Sequence, residues 1–360
     1  MKLIDTYIIK SFLSTLFFAI IALCVIFIIV NLLERLDDFL DQNATFMVIV
    51  KYYINYLPAI LQILTPLATL LATLFTFGRM STLNEITAFK SGGASLYRFM
   101  APVIVLAIII SFFQIYFNGW VVPRANKAKN NIEQKYLNIN RSGTAIYNLY
   151  FRDNPTTNIL MQYYDANAKT GSRISIEYFT DEFKPRLRKR FDANEIKWDT
   201  TKNIWQMKDV IMRTYENDRI FTVRFPMYEI KINVSHNQIS KLQQSPEEMT
   251  FPELRDYIEL LKIGGKDVRM LLIDYYGKWA FPFANFIVIL FGVPFASVKR
   301  KGGIAIQIGA AMIVSFSYMI FTKVSQTIGF AYGLEPVMAG WIANIIFFII
   351  GLITIFKTKT

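Results

Sequence analysis

The chain has 360 residues, 53% hydrophobic and 18% charged, with a formal net charge of +12. That mixture excludes an ordinary soluble domain and a bare membrane bundle alike, and requires that greasy and polar segments be separated along the chain. Cys24 is the only cysteine, which excludes a disulfide framework and a cysteine-based metal site.

Met1 to Lys10 carries Leu3, Ile4, Tyr7 and Ile8 against Lys2, Asp5 and Lys10, the pattern of a short interfacial helix. Six uncharged apolar runs follow: Ser11 to Leu33, Leu57 to Gly78, Phe99 to Val122, Trp279 to Val298, Ile304 to Thr322 and Pro336 to Phe356. About 20 helical residues cross the hydrocarbon of a bilayer, and none of these runs shows the alternation of barrel strands, so the expectation is six transmembrane helices. The first run exceeds a signal-peptide apolar core of roughly 7–15 residues and lacks an A-x-A-like site, so it reads as a retained helix.

Orientation follows from Lys and Arg in the short loops. The amino end, Arg79 to Phe99, Lys299 to Gly303 and the carboxyl end hold ten basic residues against two acidic ones. The opposite loops, Glu34 to Tyr56 and Phe330 to Pro336, hold two basic and five acidic residues, which predicts both termini in the cytoplasm. The long segment between helices three and four is then outside. With 25 basic and 20 acidic residues over 122–277, it carries no nucleic-acid footprint.

That segment opens with a polar extension of the third helix (Arg124, Lys127, Lys129, Glu133, Lys135). From Thr144 short strands are predicted: Ala145–Phe151, Asn158–Tyr164, Arg173–Phe179, Arg186–Trp198, Trp205–Tyr215, Arg219–Phe225 and Met227–Val234. Turn signals such as Asp153-Asn154-Pro155, Lys169-Thr170-Gly171 and Glu216-Asn217-Asp218 separate them, the texture of an antiparallel sandwich or open barrel. Trp198 and Trp205, across a turn containing Asp199 and Asn203, read as hairpin packing rather than as ligand contacts. Thr250 with Glu253 forms a capping-box pattern that starts a helix, which Gly264-Gly265 stops before Lys266 to Lys278 leads into helix four. The expected domains are 1–122, 123–248 and 249–360.

No chemistry-bearing constellation accompanies this architecture. His236 is the only histidine, and no G-x-S-x-G, H-E-x-x-H or G-x-x-x-x-G-K-[ST] pattern occurs. Any nucleotide-driven step therefore needs another subunit. The loop from Arg79 to Gly93 reads as a small helix with a Thr82–Glu85 capping box, Leu83, Ile86 and Phe89 on one face, and Gly92-Gly93 at its end. On pattern alone it either lies on the membrane surface or is gripped by a soluble partner.

Thr65-Pro66-Leu67 through Gly78, with Asn84-Glu85-Ile86-Thr87-Ala88-Phe89-Lys90-Ser91-Gly92-Gly93, resembles the second helix and coupling helix of the LptF/LptG permeases. Phe251 to Ile258, Trp279-Ala280-Phe281-Pro282-Phe283-Ala284-Asn285 through Ala296, and Gly333-Leu334-Glu335-Pro336 with Trp341-Ile342-Ala343-Asn344 are similar to later parts of that family. The resemblance implies a non-catalytic membrane subunit of an ATP-driven lipopolysaccharide exporter, without a cofactor or metal. Its implied fold is a six-helix membrane protein with a periplasmic antiparallel β domain, β-jellyroll-like, between helices three and four. Its implied partners are a dimer of an LptB-like ABC ATPase, a second permease of the family, an LptC-like jellyroll bridge and the lipid itself. Helices one and five of the two permeases are implied to line the cavity. Docking of the ATPase is implied for Met80, Leu83, Glu85, Ile86, Phe89, Lys90 and Gly92.

Lipid A phosphates need cations near the outer rim, for which Arg35, Arg124, Lys127, Lys129 and Lys323 are candidates. Lys323 stands within an apolar stretch, where an ionisable group is costly and faces protein or water unless it snorkels to the interface. The cluster Lys184, Arg186, Arg188, Lys189, Arg190 reads either as a guide for anionic sugars or as a solvated strand face. The competing functions are a permease for another lipid or lipoprotein, and a membrane-anchored assembly factor or enzyme.

Overall fold

A computed structural model describes residues 3–93, 95–137, 145–165, 168–181, 184–216, 219–236, 239, 244–263, 265–297 and 303–357. Of the features read from the sequence, Lys2, Thr144, Asn217, Asp218, Gly264, Val298, Lys299, Arg300, Lys301 and Lys359 lie outside these residues. The chain divides into two compact units, residues 1–138 with 269–360, and residues 139–268.

In the first unit the helices are α1 (Leu3–Glu34), α2 (Leu36–Asp41), α3 (Phe46–Thr82), α4 (Glu85–Ser91), α5 (Leu96–Tyr116) and α6 (Val122–Tyr136). A π-helical turn over Phe117–Val121 joins α5 to α6, so the third span runs on into the polar extension. After the second unit come α8 (Arg269–Ala280), α9 (Ala284–Ser297), α10 (Gly303–Ala331) and α11 (Pro336–Lys357). Among the described residues, six stretches are long and apolar enough to cross a membrane: Leu3–Glu34, Phe46–Thr82, Tyr97–Tyr136, Arg269–Ala296, Ile308–Ala331 and Pro336–Lys357.

The apolar runs locate the spans but understate their ends. The interfacial segment expected at the amino end is the first turns of α1 itself, because Asp5, Ile8, Phe12, Leu16 and Ala19 form one buried stripe at helical spacing. Likewise the lead-in to helix four is already helical from Arg269, and a 3₁₀ turn at Phe281–Phe283 interrupts it where Pro282 cannot continue the hydrogen-bond ladder.

Backbone groups freed by such breaks are bonded by side chains. Pro66, inside α3, has no N–H for the Gln62 carbonyl four residues back. The Gln114 amide of α5 donates to that carbonyl at 2.9 Å. Asn285 of α9 donates to Gln114 and to the Pro282 carbonyl, and Thr69 donates to Asn285. Asn344 of α11 donates to the Ala280 carbonyl and accepts from Tyr318. In lipid every such group must be satisfied internally, which is why amide side chains sit buried at these places. Small residues set the close crossings: a Cβ at Gly340 would meet the backbone of Gly277 at 2.9 Å, and one at Gly292 would meet Thr73 at 2.8 Å.

The second unit contains one six-stranded antiparallel sheet in which each strand pairs with its sequence neighbour: β1 (Ala145–Asn154), β2 (Thr157–Asp165), β3 (Thr170–Phe179), β4 (Leu187–Asp199), β5 (Ile204–Glu216) and β6 (Arg219–Ile230). The register places Leu149 opposite Met161, Met161 opposite Ile174 and Ile174 opposite Ala193, all buried on one face. Trp198 and Trp205 pair across the β4–β5 turn with ring centroids 4.9 Å apart, and the Trp205 indole donates to the Val234 carbonyl at 3.1 Å. The two last predicted strands are one. Pro226 does not divide them, because β6 pairs only with β5 among the described residues and its outer side needs no donor.

Helix α7 (Phe251–Ile263) follows, and its Leu260 packs on the sheet core. The carboxylate half of its capping box forms: the Thr250 N–H and hydroxyl donate to Glu253 Oε2 at 2.9 and 2.7 Å. Gly265, at φ +74, ends it in a Schellman arrangement, with Lys266 N–H donating to the Leu261 carbonyl at 3.0 Å.

Candidate functional site

The loop between the second and third spans is shorter in helix than its pattern suggests. The second span continues to Thr82, so Met80 is in its last turn, 1% exposed among the packed helices. The Thr82 hydroxyl donates back to the Gly78 carbonyl and caps nothing. The N-cap of α4 is instead Asn84, in the left-handed region at φ 56, a conformation asparagine tolerates. The expected Thr82–Glu85 capping box is therefore absent, because the longer α3 has taken up its first residue.

The expected apolar face is also split. Ile86 is 3% exposed and joins the core cluster containing Ile8, Phe12, Met80 and Phe99. Leu83 is 55% exposed, while Phe89 is exposed at its rim and packs on Phe99 at 5.2 Å between ring centroids. Glu85 and Lys90 are half-buried, and Gly92 is exposed where the helix ends. Thus Ile86 is the buried anchor of α4, and the helix presents a short surface of Leu83, Thr87, Phe89 and the Glu85 carboxylate. The Tyr7 hydroxyl of α1 donates to that carboxylate at 3.2 and 3.3 Å.

A second polar constellation stands at the far end of α1, about 42 Å from Tyr7 for the 28 residues that separate it from Arg35. Two of the cation candidates meet there. The Glu133 side chain is fully buried, with Arg35 Nη1 at 3.5 Å and Lys129 Nζ at 3.7 Å. The Tyr52 hydroxyl donates to the same carboxylate at 3.2 Å. Arg35 stands over the Tyr52 ring and Lys129 over that of Tyr56, at 6.0 and 5.1 Å. Asp38 lies 3.9 Å from Arg35. The cluster thus ties the end of α1 to α3 and α6.

Glu133 was visible in the sequence only as part of a polar helix. Two of its partners, Tyr52 and Arg35, lie 81 and 98 residues away, and no local pattern reports them. Arg124 and Lys127, also on α6, are exposed and not drawn into the cluster. Lys323 lies well inside α10 and is exposed, eight residues before the helix ends.

Within the strand unit, Arg190 pairs with Glu177 at 3.3 Å and Asp192 at 2.8 Å, while Lys184, Arg186 and Arg188 are exposed. A hollow of about 650 Å³ on the sheet is lined by Arg173, Ser175, Arg190, Asp192, Asp209 and Arg224, among others. His236 is buried against Tyr164, whose hydroxyl is within hydrogen-bond distance of Nδ1, and burial pushes the imidazole below its ordinary range. Among the described residues no group of three or more His, Cys, Asp or Glu side chains is arranged to hold a metal ion.

Residues 6–357 match the family described as lipopolysaccharide export system permease LptF/LptG. The search of curated proteins returned no match.

Proposed function

Because the chain belongs to the LptF/LptG family of lipopolysaccharide export permeases, we propose that it is the membrane subunit of an ATP-driven ABC exporter that draws lipopolysaccharide from the inner membrane and passes it to a periplasmic bridge. It is a multi-pass membrane protein. In this reading both termini and α4 are cytoplasmic and the sheet is periplasmic, as the distribution of basic residues in the short loops requires.

The observation that carries the reading is the uneven covering of the six spans. Over an apolar stretch of 18 residues in each, only 11% of the first span and 22% of the fifth is buried by their own chain, against 67% of the second and 72% of the fourth. Helix α1 exposes Phe17, Phe18, Ile21 and Ile26, and α10 exposes Ile313, Phe316 and Ile320. Two such helices on each of two related permeases supply the broad apolar wall that several acyl chains need. The exposed Arg124, Lys127 and Lys323 are assigned to the lipid phosphates, whereas Arg35 and Lys129, also candidates by sequence, are held by Glu133.

Energy enters from an LptB-like ATPase dimer docked on α4. Leu83 and Phe89 supply its apolar contact and Glu85 its anionic one, with Lys90 and Gly92 at the margin and Met80 and Ile86 holding the helix from behind. The bridge protein is assigned to β6, a twelve-residue edge strand exposing Ile220, Phe221, Val223 and Met227. Such an edge is a template for strand addition. The test of docking is the triple substitution Leu83→Asp, Glu85→Ala, Phe89→Asp in the purified complex. Loss of the ATPase subunit with the permease still in the membrane is expected; a retained ATPase with normal turnover would refute it.

A further inference from the structure

The first two turns of α1 touch both ends of the segment that carries α4. At one end Tyr7 donates to both oxygens of Glu85, the first residue of α4. At the other end Arg98 Nη2, in the first turn of α5, donates to Asp5 Oδ2 at 2.9 Å and stands 2.8 Å from Oδ1, an ion pair in which the Asp5 side chain is only 12% exposed. Between these polar contacts Ile8 and Phe12, both fully buried, pack in one cluster with Ile86 and Phe99. Segment 85–99 is therefore fastened to α1 by a hydrogen bond, an ion pair and an apolar plug.

The 32 residues of α1 contain no proline or break, and the helix ends next to Arg35 and its buried partner Glu133. A continuous helix that is held at both ends transmits displacement as a rod. We propose that Asp5 and Tyr7 are positioning residues that couple α4 to α1, so that force applied to α4 moves α1 as one body and is delivered to the Arg35–Glu133–Lys129 cluster at its far end. The proposal rests on the reading of α4 as the docking element. The Glu85 carboxylate serves both roles: two oxygens offer about four acceptor positions, and the single Tyr7 hydroxyl hydrogen, shared between them, does not fill these.

The experiment compares proteoliposomes holding the full exporter with wild-type permease, with Asp5→Asn plus Tyr7→Phe, and with Asp5→Cys plus Arg98→Cys in a Cys24→Ala background. The readouts are retained ATPase subunit, ATP hydrolysis, and lipid exported per ATP. Loosening the contacts should leave the ATPase bound and hydrolysing while export per ATP falls about five- to tenfold, the size of a modest coupling energy. Replacing the ion pair by two thiols should itself lower export per ATP, and bridging them with a short bifunctional reagent should bring it back to within about twofold of wild type, because the two elements then move together again. Normal export from the loosened variant, or a block imposed by the cross-link, would overturn the coupling. Loss of the ATPase from the loosened variant would also overturn it, by making these residues part of docking itself. Failure of the docking reading shows separately, as an ATPase retained by the Leu83, Glu85 and Phe89 triple substitution.

Discussion

Removing the Glu133 carboxylate is the sharpest perturbation available in the membrane unit. Its two cations stand 3.5 and 3.7 Å away with side chains 20% and 11% exposed. At an effective dielectric constant of about 20, each attraction is worth roughly 4–5 kcal/mol before desolvation is subtracted. Glu133→Ala leaves Arg35 and Lys129 facing one another without their shared anion and the Tyr52 hydroxyl without its acceptor. The expected loss is about 3–5 kcal/mol, the range for breaking one side of a buried ion pair. Replacing the whole cluster, Arg35→Met with Lys129→Met and Glu133→Leu, should recover most of that loss, since the desolvation cost of three charges disappears with them. Unfolding by sodium dodecyl sulfate in mixed micelles, followed by tryptophan fluorescence, measures both variants against wild type. A Glu133→Ala protein as stable as wild type, or a triple variant less stable than the single, would refute the reasoning.

Further outcomes are expected elsewhere. Burial lowers the His236 pKa below its ordinary value of about 6.5. The neutral ring then stabilises the strand unit above that pH, and the contribution is lost as pH falls through the lowered folded value. The unfolding midpoint of this unit should therefore drop on acidification below about pH 6.5, and His236→Phe should flatten the profile; an unchanged slope would contradict the assignment. Asn285→Leu should cost about 1–2 kcal/mol in the same micellar titration. Because Gln114 links Asn285 to the carbonyl that Pro66 leaves open, Gln114→Leu should cost less in the Asn285→Leu background than alone; strict additivity would break the proposed network. Lys323→Glu should weaken photo-crosslinking of lipopolysaccharide and slow export, whereas an unaltered crosslinking yield would mean that the ammonium only reaches for the interface.

Much of the fold is legible because its driving pattern is local. Uncharged runs such as Ser11 to Leu33 announce spans by length alone, and Thr250 with Glu253 announces a helix start because both partners lie within one turn. What is lost is set by contacts across the chain. Thr82 and Glu85 satisfy the same local rule, yet the packing of Met80 and Ser81 prolongs α3 through Thr82 and the cap never forms. Pro226 is a strand breaker only where its N–H side has a neighbour, and the sequence does not say that β6 is outermost. The charged sites divide the same way. Arg35 and Lys129 were identifiable as cations near a span end, but their common counter-ion Glu133 and the hold of Asp5 on Arg98 come from tertiary structure alone.

The central claim, that this permease works only with a separate nucleotide-hydrolysing subunit and a second permease, is tested most directly by isolating the chain under mild detergent from its native membrane and identifying what accompanies it. The account predicts an ABC ATPase and another six-helix chain of the same family in stoichiometric amounts, with hydrolysis lost when the ATPase is stripped away. A chain that comes alone, or that hydrolyses nucleotide by itself, would contradict it.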